Sequence, residues 1–184
     1  MATLAIVMSG LPASGKTTLG RAIAEALDLP CLDKDDFLER LYETEGTGDR
    51  VHRRRLSRRS DKAFQDAAET LDTAVLISHW RPRGGPDDTG TPTAWLGKTF
   101  DTIVEVCCVC SPELAARRFV ARQRHPGHLD AARGHDGTLA RMRSLAPGYP
   151  LRIGHLVEVT ADGKSDWPSM IEHIKARLAS LDLR

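Results

Sequence analysis

The eight residues from Gly10 to Thr17, which read Gly-Leu-Pro-Ala-Ser-Gly-Lys-Thr, constrain the fold of this chain more than any other segment. They follow Leu4 to Met8, an uncharged apolar run that is typical of a strand buried on both faces of a parallel sheet. They lead into Thr17 to Leu27, where apolar residues recur at helical spacing. This glycine spacing, between a buried strand and an amphipathic helix, predicts a loop whose backbone N–H groups surround phosphate oxygens.

The residue types of this loop suit the chemistry of a nucleotide. Glycines let the backbone turn tightly, and the helix that follows presents its positive N-terminal end to the anion. Lys16 can reach the β- and γ-phosphates, and the Thr17 hydroxyl can hold the Mg²⁺ that bridges them. We therefore expect an ATP site made by Gly10, Ala13, Ser14, Gly15, Lys16, Thr17 and Thr18.

The rest of the chain alternates short apolar strands with amphipathic helices. Further strands are predicted at Pro30 to Leu32, Ala74 to Ser78, Thr102 to Cys110 and His155 to Thr160. This alternation predicts an α/β fold of three layers, in which helices cover both faces of a five-stranded parallel sheet. The length of 184 residues, without a repeat or a second core, predicts a single domain over residues 1–184.

Composition argues against several classes of protein. The formal net charge of +1 gives no global reason to expect a nucleic-acid or membrane binder. No run approaches the ~20 apolar residues of a membrane span, and the N-terminus lacks the features of a signal peptide. The four cysteines fit small buried hydrophobic residues in a reducing compartment. We expect a cytoplasmic protein.

Three aspartates in the segment Asp33-Lys34-Asp35-Asp36 follow the second predicted strand. Ligands of parallel sheets gather at the carboxyl ends of strands, so one of these carboxylates could accept a proton from a substrate hydroxyl. The same pattern also fits capping of the next helix by Asp35 or Asp36, with the other carboxylates in solvent. The residues alone leave both interpretations open.

The first forty or so residues resemble the kinase half of polynucleotide kinases, and also chloramphenicol phosphotransferases, zeta toxins and related small P-loop kinases. Polynucleotide kinases carry an Asp-Asp-aromatic segment after their second strand, and Asp35-Asp36-Phe37 occupies that place here. The resemblance implies that Asp35 is the general base and that Asp33 lies near Mg²⁺ or its waters. Leu38 stands where polynucleotide kinases have a basic residue, so the resemblance supplies no substrate contact there.

The segment from Ser111 to Arg124 resembles the strand-to-lid segment of the same kinases. Arg118 and Arg122 are four residues apart and would share one face of a helix, where they could clamp phosphates or stack on adenine. Arg124 could join them. The resemblance implies an arginine-bearing lid over approximately residues 118–137. A basic helix face in solvent is the alternative.

The third strand leads into His79, Trp80 and Arg81, where polynucleotide kinases carry polar residues that include an Asp. The resemblance therefore leaves the metal to Asp33, Asp35 or water. His79 and Trp80 could line the acceptor pocket, with Trp80 stacked on a ring and Arg81 holding an anionic group. A packing Trp beside a surface His is the alternative.

A dense basic stretch could meet a phosphorylated or polyanionic acceptor, or form a solvated helix face. Its members are Arg50, Arg53, Arg54, Arg55, Arg58, Arg59 and Lys62.

Together these features predict a phosphotransferase that uses Mg²⁺ and ATP and acts on a hydroxyl of a small molecule. The predicted catalytic residues are Lys16, Asp35, Arg118 and Arg122; Thr17 and Asp33 hold the metal, and Asp35, His79, Trp80 and Arg81 meet the acceptor. Two alternatives stay open. One is a polynucleotide 5′-hydroxyl kinase, which the basic stretch favours, and the other is a nucleotide-dependent regulatory binding module with little turnover.

Overall fold

A computed structural model describes residues 3–129, 134–160 and 166–180, and it contains a sheet of five parallel strands. The strands are β1 (Leu4–Gly10), β2 (Cys31–Asp33), β3 (Thr73–Ile77), β4 (Thr102–Val109) and β5 (His155–Thr160). Their spatial order is β2-β3-β1-β4-β5, which places β1 at the centre between β3 and β4. The expected α/β fold with a five-stranded parallel sheet is confirmed.

Helices cover both faces of this sheet. In chain order they are α1 (Lys16–Leu27), α2 (Lys34–Glu45), α3 (Arg50–Ala68), α4 (Leu96–Thr99), α5 (Pro112–Ala121), α6 (His135–Leu145) and α7 (Trp167–Ser180). Residues of α1 and α7 belong to the hydrophobic core on one face, and residues of α3 and α4 belong to the core on the other. The sheet and its two helical layers make the three layers that the alternation of elements predicts.

Alternate residues of β1 face these two cores. Ile6 and Met8 pack in the core that includes α1, whereas Ala5 and Val7 pack in the core that includes Phe64 of α3. The two-residue period of a strand produces this division. Every residue of β1 is buried, as expected for an uncharged strand at the centre of a parallel sheet.

Two helix ends differ from the sequence expectation. The Asp33 carboxylate accepts a hydrogen bond from the Asp35 backbone N–H at 3.0 Å, so Asp33 caps α2 and the helix begins at Lys34. Asp35 and Asp36 therefore lie within the first turn and do not cap it. Helix α5 ends at Ala121, so Arg122 is the residue after the helix and does not share a helical face with Arg118.

Trp80 is a core residue, which contradicts the expectation that it stacks on the acceptor. Its side chain is fully buried against Phe64 and Trp95, and the indole N–H donates to the Met8 carbonyl oxygen at 2.9 Å. Trp80 continues the alternation of Ala74 and Leu76, which face the same core. A ring of this size gains more free energy from burial than any other side chain in the segment.

The predicted lid is described only in part, because residues 130–133 lie outside the described residues. Its described residues include the end of α5, a short 3₁₀ helix at Pro126–His128 and the start of α6. Within the ranges that the structure describes, no helix is both long enough and apolar enough to cross a membrane.

Candidate active site

A cavity of about 910 Å³ opens where β1, β2 and β3 end. Residues that follow these three strands line it, among them Lys16, Asp35 and His79. Open parallel sheets bind their ligands at this position, outside the carboxyl ends of the strands. The volume is that of a site for small molecules.

The loop between β1 and α1 has a backbone that favours small residues. Gly10 and Gly15 have φ angles of 120° and 103°, and Ala13 has a φ of 61°. A Cβ atom on Gly10 would lie 2.5 Å from the carbonyl oxygen of Cys108 in β4. The Ser14 hydroxyl is buried and has no hydrogen-bond partner among the described residues. These features fit a loop whose inward polar groups bind a phosphate anion.

Lys16 lies against this loop. Its Nζ donates to the carbonyl oxygens of Gly10 at 3.0 Å and Leu11 at 2.7 Å. Burial lowers the pKa of the Lys16 ammonium to about 8, and the neighbouring charge of Arg122 acts in the same direction. The side chain therefore remains mostly protonated at neutral pH and can bind phosphate oxygens.

The two predicted metal ligands lie together. The Thr17 hydroxyl donates to Asp33 Oδ2 at 3.2 Å. Burial, and then the charge of Asp35, raise the pKa of Asp33 to about 6, although two hydrogen bonds to its carboxylate oppose this shift. Mg²⁺ prefers oxygen ligands and usually takes only one or two from the protein, with phosphate and water oxygens completing its shell. The hydroxyl and carboxylate of Thr17 and Asp33 fit that requirement.

Asp35, the predicted base, faces the same cavity and forms an ion pair with Arg124. Burial opposes ionisation of Asp35, but the positive charges of Arg124, His128 and Lys34 outweigh that effect and hold the pKa of the carboxyl below its ordinary value. The carboxylate is thus ionised at neutral pH, as a group that accepts a proton must be.

Four arginines from the chain beyond β4 line the cavity. They are Arg118, Arg122, Arg124 and Arg141. The guanidinium carbon of Arg122 lies over the Phe119 ring, 4.2 Å from its centroid. This cation–π contact helps to hold the Arg122 side chain in position. No sequence pattern predicts that Arg141 lines the cavity, because the sequence of α6 shows only the apolar periodicity of an ordinary helix.

His79 and Arg81 line the cavity, and Arg81 forms an ion pair with Asp87 at 2.7 Å. The Nδ1 atom of His79 lies 3.5 Å from the Tyr149 hydroxyl, and that hydroxyl donates to the Trp80 carbonyl oxygen at 2.9 Å. Burial, and then the charges of Lys16 and Arg141, lower the pKa of His79 to about 3. The imidazole is therefore neutral at neutral pH, and its ring is partly buried at the cavity wall.

A group of polar side chains at the end of β3 was also missed. The hydroxyls of Ser78 and Thr91 lie 2.6 Å apart, and Thr91 donates to Asp61 of α3 at 2.7 Å. The buried Lys34 donates to Ser57 at 2.8 Å and lies 3.7 Å from Asp61. The carboxylate of Asp61 in α3 thus lies at the end of β3, although no acidic residue directly follows that strand in the sequence.

Comparisons with known proteins agree with this fold. Shikimate kinase of Chlamydia pneumoniae is 46% identical over 39 residues, which is 21% of this chain and 22% of that protein. The match therefore spans about a fifth of the length of the curated relative. A solved structure of a candidate kinase from Chloroflexus aurantiacus superposes with a TM-score of 0.77 and 26% identity, over 96% of this chain and 98% of the other.

A shikimate kinase from Bacteroides thetaiotaomicron has the same fold, with a TM-score of 0.62 and 21% identity over 97% of this chain and 99% of the other. The resemblance to small P-loop kinases is thereby confirmed. A sequence profile described as AAA domain matches residues 6–147. Because this profile covers well over half of the chain, the protein belongs to the AAA domain family.

Proposed function

We propose that this protein is an ATP-dependent phosphotransferase that moves the γ-phosphate onto a hydroxyl of a small molecule. One observation carries the proposal: Asp35 shares a cavity with the phosphate-binding loop and with the Thr17–Asp33 pair. Hydrolysis needs a positioned water, whereas transfer to an alcohol needs a base beside the phosphate. An ionised carboxylate in this position supports transfer.

In the proposed mechanism the loop and the arginines bind the phosphates. The backbone N–H groups of the loop and the Lys16 ammonium orient the phosphate chain. Arg118 and Arg122 stabilise negative charge on the phosphoryl group as it transfers, which is the largest contribution to catalysis in this kind of reaction. Thr17 and Asp33 would hold Mg²⁺, which would supply positive charge next to the phosphates.

Asp35 carries out the proton transfer. It takes the proton of the acceptor hydroxyl while the hydroxyl oxygen forms a bond to the γ-phosphorus and the bond to the β-phosphate oxygen breaks. Arg124 keeps Asp35 ionised before the acceptor arrives. His79 and Arg81 line the same cavity and contact the acceptor in this proposal, and Trp80 has no part in it.

The size of the cavity and the named relatives support a small acceptor. About 910 Å³ holds a nucleotide and a small molecule side by side. The two relatives named as shikimate kinases are named for a small-molecule substrate, and this supports the same class of acceptor here.

Replacing Asp35 by Asn tests the role of the base. We expect Asp35→Asn to keep the affinity for Mg²⁺-ATP and to lose transfer by a factor of about 10² to 10⁴, the usual contribution of a general base. Transfer of label from γ-labelled ATP measures the rate, and calorimetry with a non-hydrolysable ATP analogue measures the affinity. Loss of Mg²⁺-ATP binding would instead make Asp35 a metal ligand.

Asp36→Asn is the matched control, because Asp36 is the neighbouring carboxylate and pairs with Arg21 at the surface, 3.1 Å away. Its transfer rate should stay near that of the unmodified protein.

A polynucleotide 5′-hydroxyl kinase is the second candidate. The observation that favours it is that Arg53, Arg54 and Arg58 of the basic stretch line the cavity. A 5′-hydroxyl oligonucleotide therefore belongs among the acceptors to be assayed.

A further inference from the structure

The basic stretch of α3 has two distinct faces. Arg55 and Arg59 pair with Glu45 at the end of α2, at 3.6 Å and 2.5 Å. The other face carries Arg53, Arg54 and Arg58, and all three line the cavity. Arg54 and Arg58 are four positions apart and are therefore neighbours on the helix surface, and Arg53 lies beside the same cavity. We call Arg53, Arg54 and Arg58 the α3 wall.

The α3 wall and the arginines Arg118 and Arg122 come from different parts of the sheet topology. Helix α3 packs against α2 and β2, and β2 is the strand at one edge of the sheet. Helices α5 and α6 follow β4, on the other side of β1 and its phosphate-binding loop. Arg118 and Arg122 reach the cavity from the elements that follow β4, whereas the α3 wall reaches it from beside α2, with Arg53 close to Lys34.

The charge of the cavity exceeds what a nucleotide requires. Ten lysine and arginine side chains and five aspartates line it. The loop and the lid arginines are sufficient to bind a Mg²⁺-bound triphosphate, which leaves the positive charge of the α3 wall in excess.

The contacts of the α3 wall leave it able to bind an anion. Arg54 pairs with Asp88 at 3.7 Å, but these two side chains are 68% and 52% exposed, so the pair contributes little free energy and can exchange for another anion. Arg53 interacts with the Tyr42 side chain of α2, so Arg54 and Arg58 are the members of the α3 wall that are placed to bind an anion.

We propose that the α3 wall is the subsite for a compact anionic group, a phosphate or a carboxylate, which the acceptor molecule carries apart from its reacting hydroxyl. This inference rests on the proposed function and narrows its substrate class to hydroxylated small molecules that bear a negative charge. Guanidinium groups match the paired oxygens of both anions. The subsite and Asp35 lie in one cavity, so a single small molecule can reach both.

The test uses the full-length protein saturated with Mg²⁺ and a non-hydrolysable ATP analogue, so that the phosphate-binding loop is filled. Inorganic phosphate and acetate are then titrated separately by calorimetry. We expect the double variant Arg54→Ala/Arg58→Ala to lose about tenfold or more in affinity for the preferred anion. The control Arg55→Ala/Arg59→Ala removes the same charge from the other face and should bind that anion almost as the unmodified protein does.

The two anions distinguish the source of the charge. Tighter binding of phosphate indicates a phosphorylated acceptor, and tighter binding of acetate indicates a carboxylated one. Equal affinities in the two double variants, or no binding of either anion to the unmodified protein, overturn the subsite. If a 5′-hydroxyl oligonucleotide binds through the α3 wall but phosphate and acetate do not, the result overturns the small-anion subsite and favours a nucleic-acid acceptor.

Failure of the proposed function has a different result. The protein could bind the ATP analogue, and bind phosphate or acetate through the α3 wall, but transfer no label to any hydroxyl. That result would support the subsite and refute phosphotransfer. If the two double variants transfer label with the same KM for the acceptor, the result supports phosphotransfer and refutes the subsite.

Discussion

At the scale of the residue, His79 links the chemistry of the cavity to the stability of the protein. Burial beside Lys16 and Arg141 lowers its pKa from the ordinary 6.5 to about 3. In the unfolded chain the imidazole takes up a proton as the pH falls through 6.5, whereas in the folded protein it does not do so until about 3. The unfolded state then binds more protons, so His79 reduces the free energy of unfolding across this window.

Substitution of His79 makes this effect measurable. Between pH 6.5 and 3 the free energy of unfolding should fall by up to about 1.4 kcal/mol per pH unit more in the unmodified protein than in His79→Gln. Above pH 6.5 the difference between the two proteins should be constant. Urea unfolding at a series of pH values measures it. Parallel stability curves from pH 7 down to 4 would show that the folded protein allows His79 to become charged.

At the scale of the element, the segment after α5 is held against α2 by ring contacts around one glycine. The Tyr42 ring of α2 stacks on His125 with centroids 5.1 Å apart, and His128 meets the edge of the same ring and contacts Glu39 at 2.8 Å. Between the two histidines lies Gly127, where a Cβ atom would be 2.6 Å from the Tyr42 ring. Only a glycine allows this close approach without displacing a buried ring.

Gly127→Ala should therefore destabilise the protein by about 1–3 kcal/mol, the usual cost of overpacking a buried site. It should also weaken nucleotide binding, because Arg124 and the lid segment lose their position over the cavity. Gly137→Ala is the matched control: Gly137 lies in α6 with no atom within 4 Å of an added Cβ, so alanine there should stabilise the helix by up to about 1 kcal/mol. Urea unfolding measures both changes, and equal effects of the two substitutions would contradict the packing argument.

At the scale of the whole molecule, the features that sequence could predict are those encoded by neighbouring residues. The phosphate-binding loop, the buried β1 and the parallel sheet all follow from short patterns. Thr17 and Asp33 meet because Thr17 lies after the loop that follows β1, and Asp33 ends β2 at the same edge of the sheet. Asp61 and Arg141 reach the cavity from the middle of helices, and nothing in their local sequence marks the inward face. The position of Trp80 after β3 predicts that it lines the pocket. The alternation of side-chain directions continues past the end of β3, however, and directs the ring into the core.

Two other features of the proposal stay predictions at this scale. They are the single domain over residues 1–184 and the arginine-bearing lid over approximately residues 118–137. The division of the α3 arginines into two faces could not be predicted either, because charged residues surround that helix and the partner of one face, Glu45, lies on another element.

The most direct test of the account is phosphotransfer itself. Purified protein is incubated with Mg²⁺ and γ-labelled ATP and with a panel of acceptors that includes sugars, nucleosides, antibiotics, phosphorylated and carboxylated alcohols and a 5′-hydroxyl oligonucleotide. We predict that label appears on a small hydroxylated molecule, and that Lys16→Ala abolishes the transfer because the phosphates lose their bound cation. Tight nucleotide binding with no labelled acceptor, or full transfer by Lys16→Ala, would contradict the account.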